Sequence, residues 1–212
     1  ALVHKRGRFM DEAVPAGQGA MAAVIGLERA QVEALCREAA AAAPPPNGGG
    51  PAVVEAVNYN CPGQVVIAGH AAAVEVAMAL AREAGARRVV PLAVSGPFHS
   101  RLMAPAQARL AAELERVPLR DARIPVVANV SATYVTDAAE IRRALVAQVA
   151  SPVLWEESMR RLLADGFDRF LEVGPGTVLT GFLRRIAREA RAAAVQDLES
   201  LTRILELQGE VS

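Results

Sequence analysis

Residues 52–70 read "AVVEAVNYNCPGQVVIAGH". Two apolar, β-branched runs, "AVVEAVNYN" and "QVVIAGH", flank a Cys-Pro-Gly turn. The pattern predicts two strands joined by a tight connection. Upstream, "AMAAVIGL" (20–27) reads as another strand, followed by "ERAQVEALCREAAAAA" (28–43), an amphipathic helix of strong helix formers. "PPPNGGGP" (44–51) cannot continue that helix and reads as an exposed loop. Downstream, "AAAVEVAMALAREAG" (71–85) reads as a helix stopped by Gly85, and "RRVVPLAV" (87–94) as a fourth strand. The order over 20–94 is β-α-β-β-α-β, the split βαβ or ferredoxin-like pattern.

The second half alternates differently. "RLMAPAQARLAAELERV" predicts a helix, "IPVVANV" a strand, and "AAEIRRALVAQVA" and "LWEESMRRLLADG" two helices separated at Ser151-Pro152. "RFLEVG" predicts a strand, "TVLTGFLRRIAREARAAA" one long helix, and "QDLESLTRILELQ" a final amphipathic helix. Alternating strands and helices imply part of an α/β layer.

The chain has 212 residues, 52% hydrophobic and 22% charged, with a formal net charge of zero. That length suffices for a sizeable core. Neutral balance argues against a nucleic-acid or membrane-surface protein, and no apolar run is long enough for a transmembrane helix. Two cysteines without a CxxC pair, Cys36 and Cys61, suit a reducing cytoplasm. The opening "ALVHKRGRFMDEAV" lacks an initiator Met and reads as a helix entered midway, the start of a fragment, or as a native helix with a processed terminus.

His99, in "VSGPFHSRLM" (94–103), lies between a strand end and a helix predicted to begin near Ser100. A helix N-terminus disfavours an imidazolium, so this position suits a neutral general base. From position alone, a loop histidine with a structural hydrogen bond is the plainer reading. His4 falls in a basic cluster and His70 reads as a turn residue; no His/Cys/Asp/Glu set has metal-ligand spacing, so no metal is expected. Gly17, Gly19 and Ala22 match GxGxxA, but no strand precedes them and the dinucleotide reading fails. "GPG" (174–176) reads as a close backbone approach or simply a sharp connection. None of the seven serines sits in GxSxG, and Cys61 reads either as a nucleophile or as a small buried thiol.

Four stretches, "KRGRFMDEAVPAGQGAMAAVIGL", "NYNCPGQVVIAGH", "VSGPFHSRLM" and "EVGPGTVLTGFLRRI", resemble in order and spacing the malonyl-CoA:acyl carrier protein transacylases and related acyltransferase domains of fatty-acid and polyketide synthesis. The resemblance covers about residues 2–190. It implies an α/β-hydrolase-like core over 1–19 and 95–212, lacking its N-terminal part, with a ferredoxin-like subdomain inserted at 20–94. It implies ping-pong transfer of a malonyl group from malonyl-CoA, through a serine ester, to the phosphopantetheine thiol of acyl carrier protein. No metal or redox cofactor is implied, and the full-length protein is expected to be a cytoplasmic monomer.

Residue by residue, the resemblance makes His99 the base and Gln148, in "AQVASPVLW", the acceptor that orients its imidazole. Arg6 would pair with the malonyl carboxylate, for which a guanidinium offers two parallel donors. Met10 and Asn60 match pocket-lining positions, and Arg87 and Arg88 match a basic pair near the coenzyme A phosphates or the carrier protein. Phe98 resembles the residue of malonyl-selective members, where bulk disfavours an added methyl. The family's GHSxGE elbow and its oxyanion loop precede "KRGRFM" and are not in this sequence. The chain by itself is therefore expected to be inactive; a polyketide-synthase acyltransferase domain and a non-catalytic carrier-binding remnant are the alternatives.

Overall fold

The structure, a computed structural model, describes residues 1–47 and 49–209. Gly48 of the Pro-Gly loop and residues 210–212 lie outside the described residues. The fold is mixed α/β, and the chain divides into two compact units, Ala1–Ser158 and Met159–Ser212.

The first unit is built on β1 (Gly19–Ile25), β2 (Val54–Cys61), β3 (Gln64–His70) and β4 (Arg88–Pro91). They form one antiparallel sheet in the order β2-β3-β1-β4. Helices α2 (Arg29–Ala42) and α3 (Ala71–Glu83) connect β1 to β2 and β3 to β4. Alternation along the strands sorts side chains between two faces. Ala22, Val24, Val65 and Ile67 pack with Val32, Cys36 and Ala39 of α2 and with Val74 and Ala77 of α3. Met21, Ala23, Val66 and Ala68 face the other way, where Val57, Leu92 and Phe98 join them. Both faces are covered, so β1 and β3 read as nearly unbroken apolar runs. α2 starts at a capping box between Glu28 and Gln31 and ends before the three prolines.

α1 (Leu2–Asp11) packs on α4 (Ala104–Glu115) through Phe9, Met10, Met103, Ala106, Leu110 and Leu114. Lys5 Nζ reaches Glu113 at 2.6 Å, Arg109 reaches Glu12 at 2.6 Å, and the Arg109 guanidinium lies 4.0 Å from the Phe9 ring centroid. Exposed ion pairs are worth about 0–1 kcal/mol, against about 1.5–3 kcal/mol for burying one large apolar side chain. The apolar seam therefore holds the helices together, and the charges set their register. A hairpin of β5 (Val126–Ala128) and β6 (Thr133–Val135) precedes α5 (Ala138–Ala147).

α6 (Trp155–Ala164) crosses the boundary between the units. In the second unit β7 (Arg169–Val173) pairs in parallel with β8 (Arg191–Val195) across α7 (Val178–Ile186), and α8 (Leu198–Gly209) follows. Several expectations are corrected here. The long helix predicted over 177–194 stops at Ile186, and its alanine-rich end is β8. Alanine favours helix only weakly against strand pairing; Arg191 N–H donates to the Asp168 carbonyl at 2.9 Å, and the side chains of Asp168 and Arg191 pair as well. The helix predicted over 138–150 tightens into a 3-10 turn at Gln148–Ala150. The strand predicted at 87–94 ends at Pro91, tolerated because β4 is a sheet edge.

Candidate active site

The turn between β4 and α4 is fixed from several sides. Gly19, at the start of β1, lies so close to Pro97 that a Cβ would come within 2.3 Å of the proline ring. The Ser95 hydroxyl donates to Asp11 of α1 at 2.6 Å, and the buried Ser100 hydroxyl donates to the Pro97 carbonyl at 2.6 Å. A 3-10 turn, Arg101–Met103, then leads into α4, so the helix begins later than Ser100. Between these restraints His99 adopts φ 65°, the left-handed region that a non-glycine residue enters at a cost of about 1–3 kcal/mol.

His99 is half-buried, and its Nδ1 lies 2.9 Å from the main-chain carbonyl of Gln148. A carbonyl can only accept, so Nδ1 carries the proton and Nε2 the lone pair. Burial lowers the imidazole pKa below its ordinary 6.5; the Gln148 hydrogen bond opposes the shift and the nearby positive charge of Arg6 adds to it. The ring is a neutral base near pH 7 with Nε2 as its acceptor.

Gln148 meets the ring through its backbone. Its side-chain amide instead donates to the carbonyls of Ser151 and Pro152, at 3.0 and 3.1 Å. That segment docks on the outer edge of β2: Val153 N–H donates to Val57 at 2.8 Å, and Tyr59 N–H to Val153 at 2.9 Å. The carbonyl facing His99 is thereby tied to the sheet.

Arg6 sits on α1, half-buried, with no ion pair or hydrogen bond among the described residues. Burial depresses its pKa, though not far enough to discharge a guanidinium. An unpaired, partly desolvated cation beside a neutral imidazole suits an anionic substrate group. Phe98 packs against both the α1–α4 seam and the adjoining sheet face. Met10 is buried in that seam.

Arg87 and Arg88 are exposed at the other end of the sheet. Arg88 pairs with Ile25, six residues along β1 from Gly19, about 20 Å from the His99 turn at strand rise. Asn60 lies beside a bulge of β2, and among the described residues no hydrogen bond ties it to that turn. The structure thus gathers His99, Gln148, Arg6, Phe98 and Met10, and leaves Arg87 and Arg88 at a distance.

The sequence profile described as "Acyl transferase domain" matches residues 1–208. The chain belongs to the acyl transferase domain family. It is 46% identical over 199 residues to the malonyl CoA-acyl carrier protein transacylase of Bacillus subtilis strain 168, covering 94% of this chain and 60% of that protein. It is also 46% identical over 206 residues to that of Escherichia coli K12, covering 97% and 64%. Among solved structures, a type II PKS acyl-carrier protein in complex with its malonyl-transacylase matches at a TM-score of 0.90 and 45% identity, over 97% of this chain and 63% of that one. An acyl carrier protein S-malonyltransferase from Vibrio cholerae matches at 0.89 and 44%, over 96% and 63%. This acyl transferase chain spans about 60 to 64% of the length of these relatives.

The other candidates resolve as structural. Glu172 accepts from Leu179 N–H at 3.0 Å and Thr180 N–H at 2.7 Å, so the first amides of α7 after "GPG" are already engaged. Cys61 is buried at the end of β2, as a small packed thiol would be; Cys36, on α2, is buried too, and burial pushes its thiol up to about 12. Among the described residues no three His, Cys, Asp or Glu side chains gather as a metal site, and no helix is long and apolar enough to cross a membrane. Sequence reasoning passed over Ser95, Ser100 and Glu55. Only Ser100, at a predicted helix start, carried a local signal.

Proposed function

We propose that the full-length protein containing this chain transfers malonyl groups from malonyl-CoA to the phosphopantetheine thiol of acyl carrier protein by a ping-pong mechanism, in a cytoplasmic pathway of fatty-acid synthesis. One observation carries the reading: among the described residues, His99 presents an Nε2 lone pair with no partner beside a guanidinium of Arg6 with none, its other nitrogen held by the Gln148 carbonyl. No GxSxG serine occurs in the 212 residues, so the attacking hydroxyl comes from outside them. Nε2 takes the proton of that hydroxyl as it attacks the thioester, and returns it to the departing coenzyme A thiolate. It then takes the carrier thiol's proton as the thiolate attacks the ester, and returns it to the serine. Arg6 holds the malonyl carboxylate through both halves. Phe98 crowds the acyl α-carbon and favours malonyl over methylmalonyl, and Met10 and Asn60 line the pocket. Arg87 and Arg88, about 20 Å along the sheet, contact the coenzyme A phosphates or the acidic carrier.

The order β2-β3-β1-β4, with α2 and α3 on one face, supports reading 20–94 as a ferredoxin-like subdomain inserted into an α/β-hydrolase-like core formed by 1–19 and 95–212. The protein acts as a monomer in this reading. The test is malonyl transfer by the full-length protein. Transfer that is lost in His99→Ala supports the proposal; transfer that His99→Ala leaves intact overturns it. The isolated chain, given malonyl-CoA, is expected to form no stable malonyl adduct by intact mass, and an adduct would reveal another nucleophile.

A further inference from the structure

Ser100 stands where a capping side chain belongs, directly before the 3-10 turn Arg101–Met103. Its hydroxyl does not cap that turn. It points back to Pro97 and closes the loop around His99. The first free amide of the turn needs another acceptor. Arg101 N–H finds it across the fold, on Oε2 of Glu55 at 2.8 Å, while Oε1 of Glu55 accepts from Arg101 Nε at 2.5 Å. Glu55 lies on β2, whose outer edge also carries the Ser151–Val153 segment that Gln148 grips. One strand therefore reaches both sides of the imidazole: the backbone just after it and the segment that fixes its acceptor.

We infer that Glu55 is a positioning residue for His99: its carboxylate caps Arg101 in place of Ser100 and holds His99 in the left-handed conformation that brings Nδ1 to the Gln148 carbonyl. The main-chain bond is the working part. The Arg101 side chain is 70% exposed, and an ion pair so open to solvent contributes little. Glu55 acts by geometry, because the causes of the His99 shift are burial, Gln148 and Arg6. The consequence for catalysis rests on the acyl-transfer reading, but the placement of the ring can be measured without it.

The experiment is a 15N NMR titration of the histidines in the 212-residue chain. With Glu55 in place, His99 is expected as the Nδ1–H tautomer titrating below an ordinary imidazole. In Glu55→Ala its titration moves up towards the ordinary value, the Nε2–H tautomer appears, and the Arg101 amide exchanges at least about 10-fold faster. His70 stays unchanged and reports that the sheet is intact. Glu55→Gln keeps an acceptor oxygen and restores the His99 signature, and Arg101→Ala keeps the amide and leaves it unmoved. Glu55→Asp withdraws the carboxylate by one methylene and serves if the alanine variant does not fold. A His99 signature unmoved in the folded Ala or Asp variant overturns the inference. In full-length protein, Glu55→Ala is expected to lower kcat about 10-fold with little change in KM, because the base is misplaced. A shifted His99 in a full-length protein that transfers no malonyl group leaves the positioning intact and removes the function. Active full-length protein with both His99 and kcat indifferent to Glu55 removes the positioning alone.

Discussion

Two strand-to-helix junctions in the first unit each hold a histidine, and the two use the ring in opposite ways. His70 ends β3 and precedes α3 with an ordinary extended backbone, φ −62°. Its ring Nδ1 accepts from Val53 N–H at 3.0 Å while its backbone N–H donates to the Val53 carbonyl at 2.8 Å. His99 sits at φ 65° and its Nδ1 donates. Burial lowers the pKa of both. A depressed pKa therefore does not distinguish them. What does is the nitrogen left over: a proton on Nε2 in His70, a lone pair on Nε2 in His99.

The sharpest way to break this contrast is to delete each ring in full-length protein. His99→Ala is expected to lower kcat for malonyl transfer by about 10²–10⁴-fold, the usual contribution of a general base, whereas His70→Ala changes it by no more than a few-fold. Equal losses would erase the distinction. Arg6→Ala comes next, with kcat/KM for malonyl-CoA reduced roughly 10- to 150-fold for a lost charge-assisted pair. The same change should move the His99 titration up and leave His70 where it is, as histidine-resolved NMR would show.

Stability reverses the order of the two residues. His70→Ala orphans the Val53 amide and is expected to cost about 1–3 kcal/mol in urea unfolding. His99→Gly gives up the Gln148 contact but relieves the left-handed strain, so it is expected to stay within about 1 kcal/mol of wild type. The smallest effect is the pH dependence. A folded pKa below the unfolded 6.5 means the unfolded chain binds more protons between the two values. The contribution of each histidine is thus complete above pH 6.5 and is lost as pH falls from 6.5 through the lower folded pKa. Thermal melts of wild type should weaken over that window, before the carboxylates titrate, and melts of a His70→Ala/His99→Ala double variant should not.

Legibility in the sequence followed the range of the forces. β1 to β3 are bounded by glycine, proline or a helix start, and their apolar runs declare them. β6 is three residues of "TYV" with no period to detect, and β8 is an alanine-rich run whose strand state comes from pairing with β7. In the site, "FHS" and "AQVASP" marked His99 and Gln148, but no reading of side chains indicates that a glutamine will meet the ring with its main chain. Glu55 was silent for a simpler reason: it lies 46 residues from Arg101, and only the folded sheet edge brings them together.

That main-chain acceptor has an evolutionary edge. No substitution among the twenty amino acids removes a carbonyl, so the contact that orients His99 cannot be deleted by a point mutation at 148. It can only be displaced. Alanine at 148 would free the 151–152 turn and let the acceptor wander, and any residue able to rebuild that turn would keep the chemistry. An amide-to-ester replacement across 148–149, which weakens the carbonyl as an acceptor without moving it, is the direct chemical probe. Drift at this position can therefore change the letter and preserve the function, and the site is better tracked by its turn than by its glutamine.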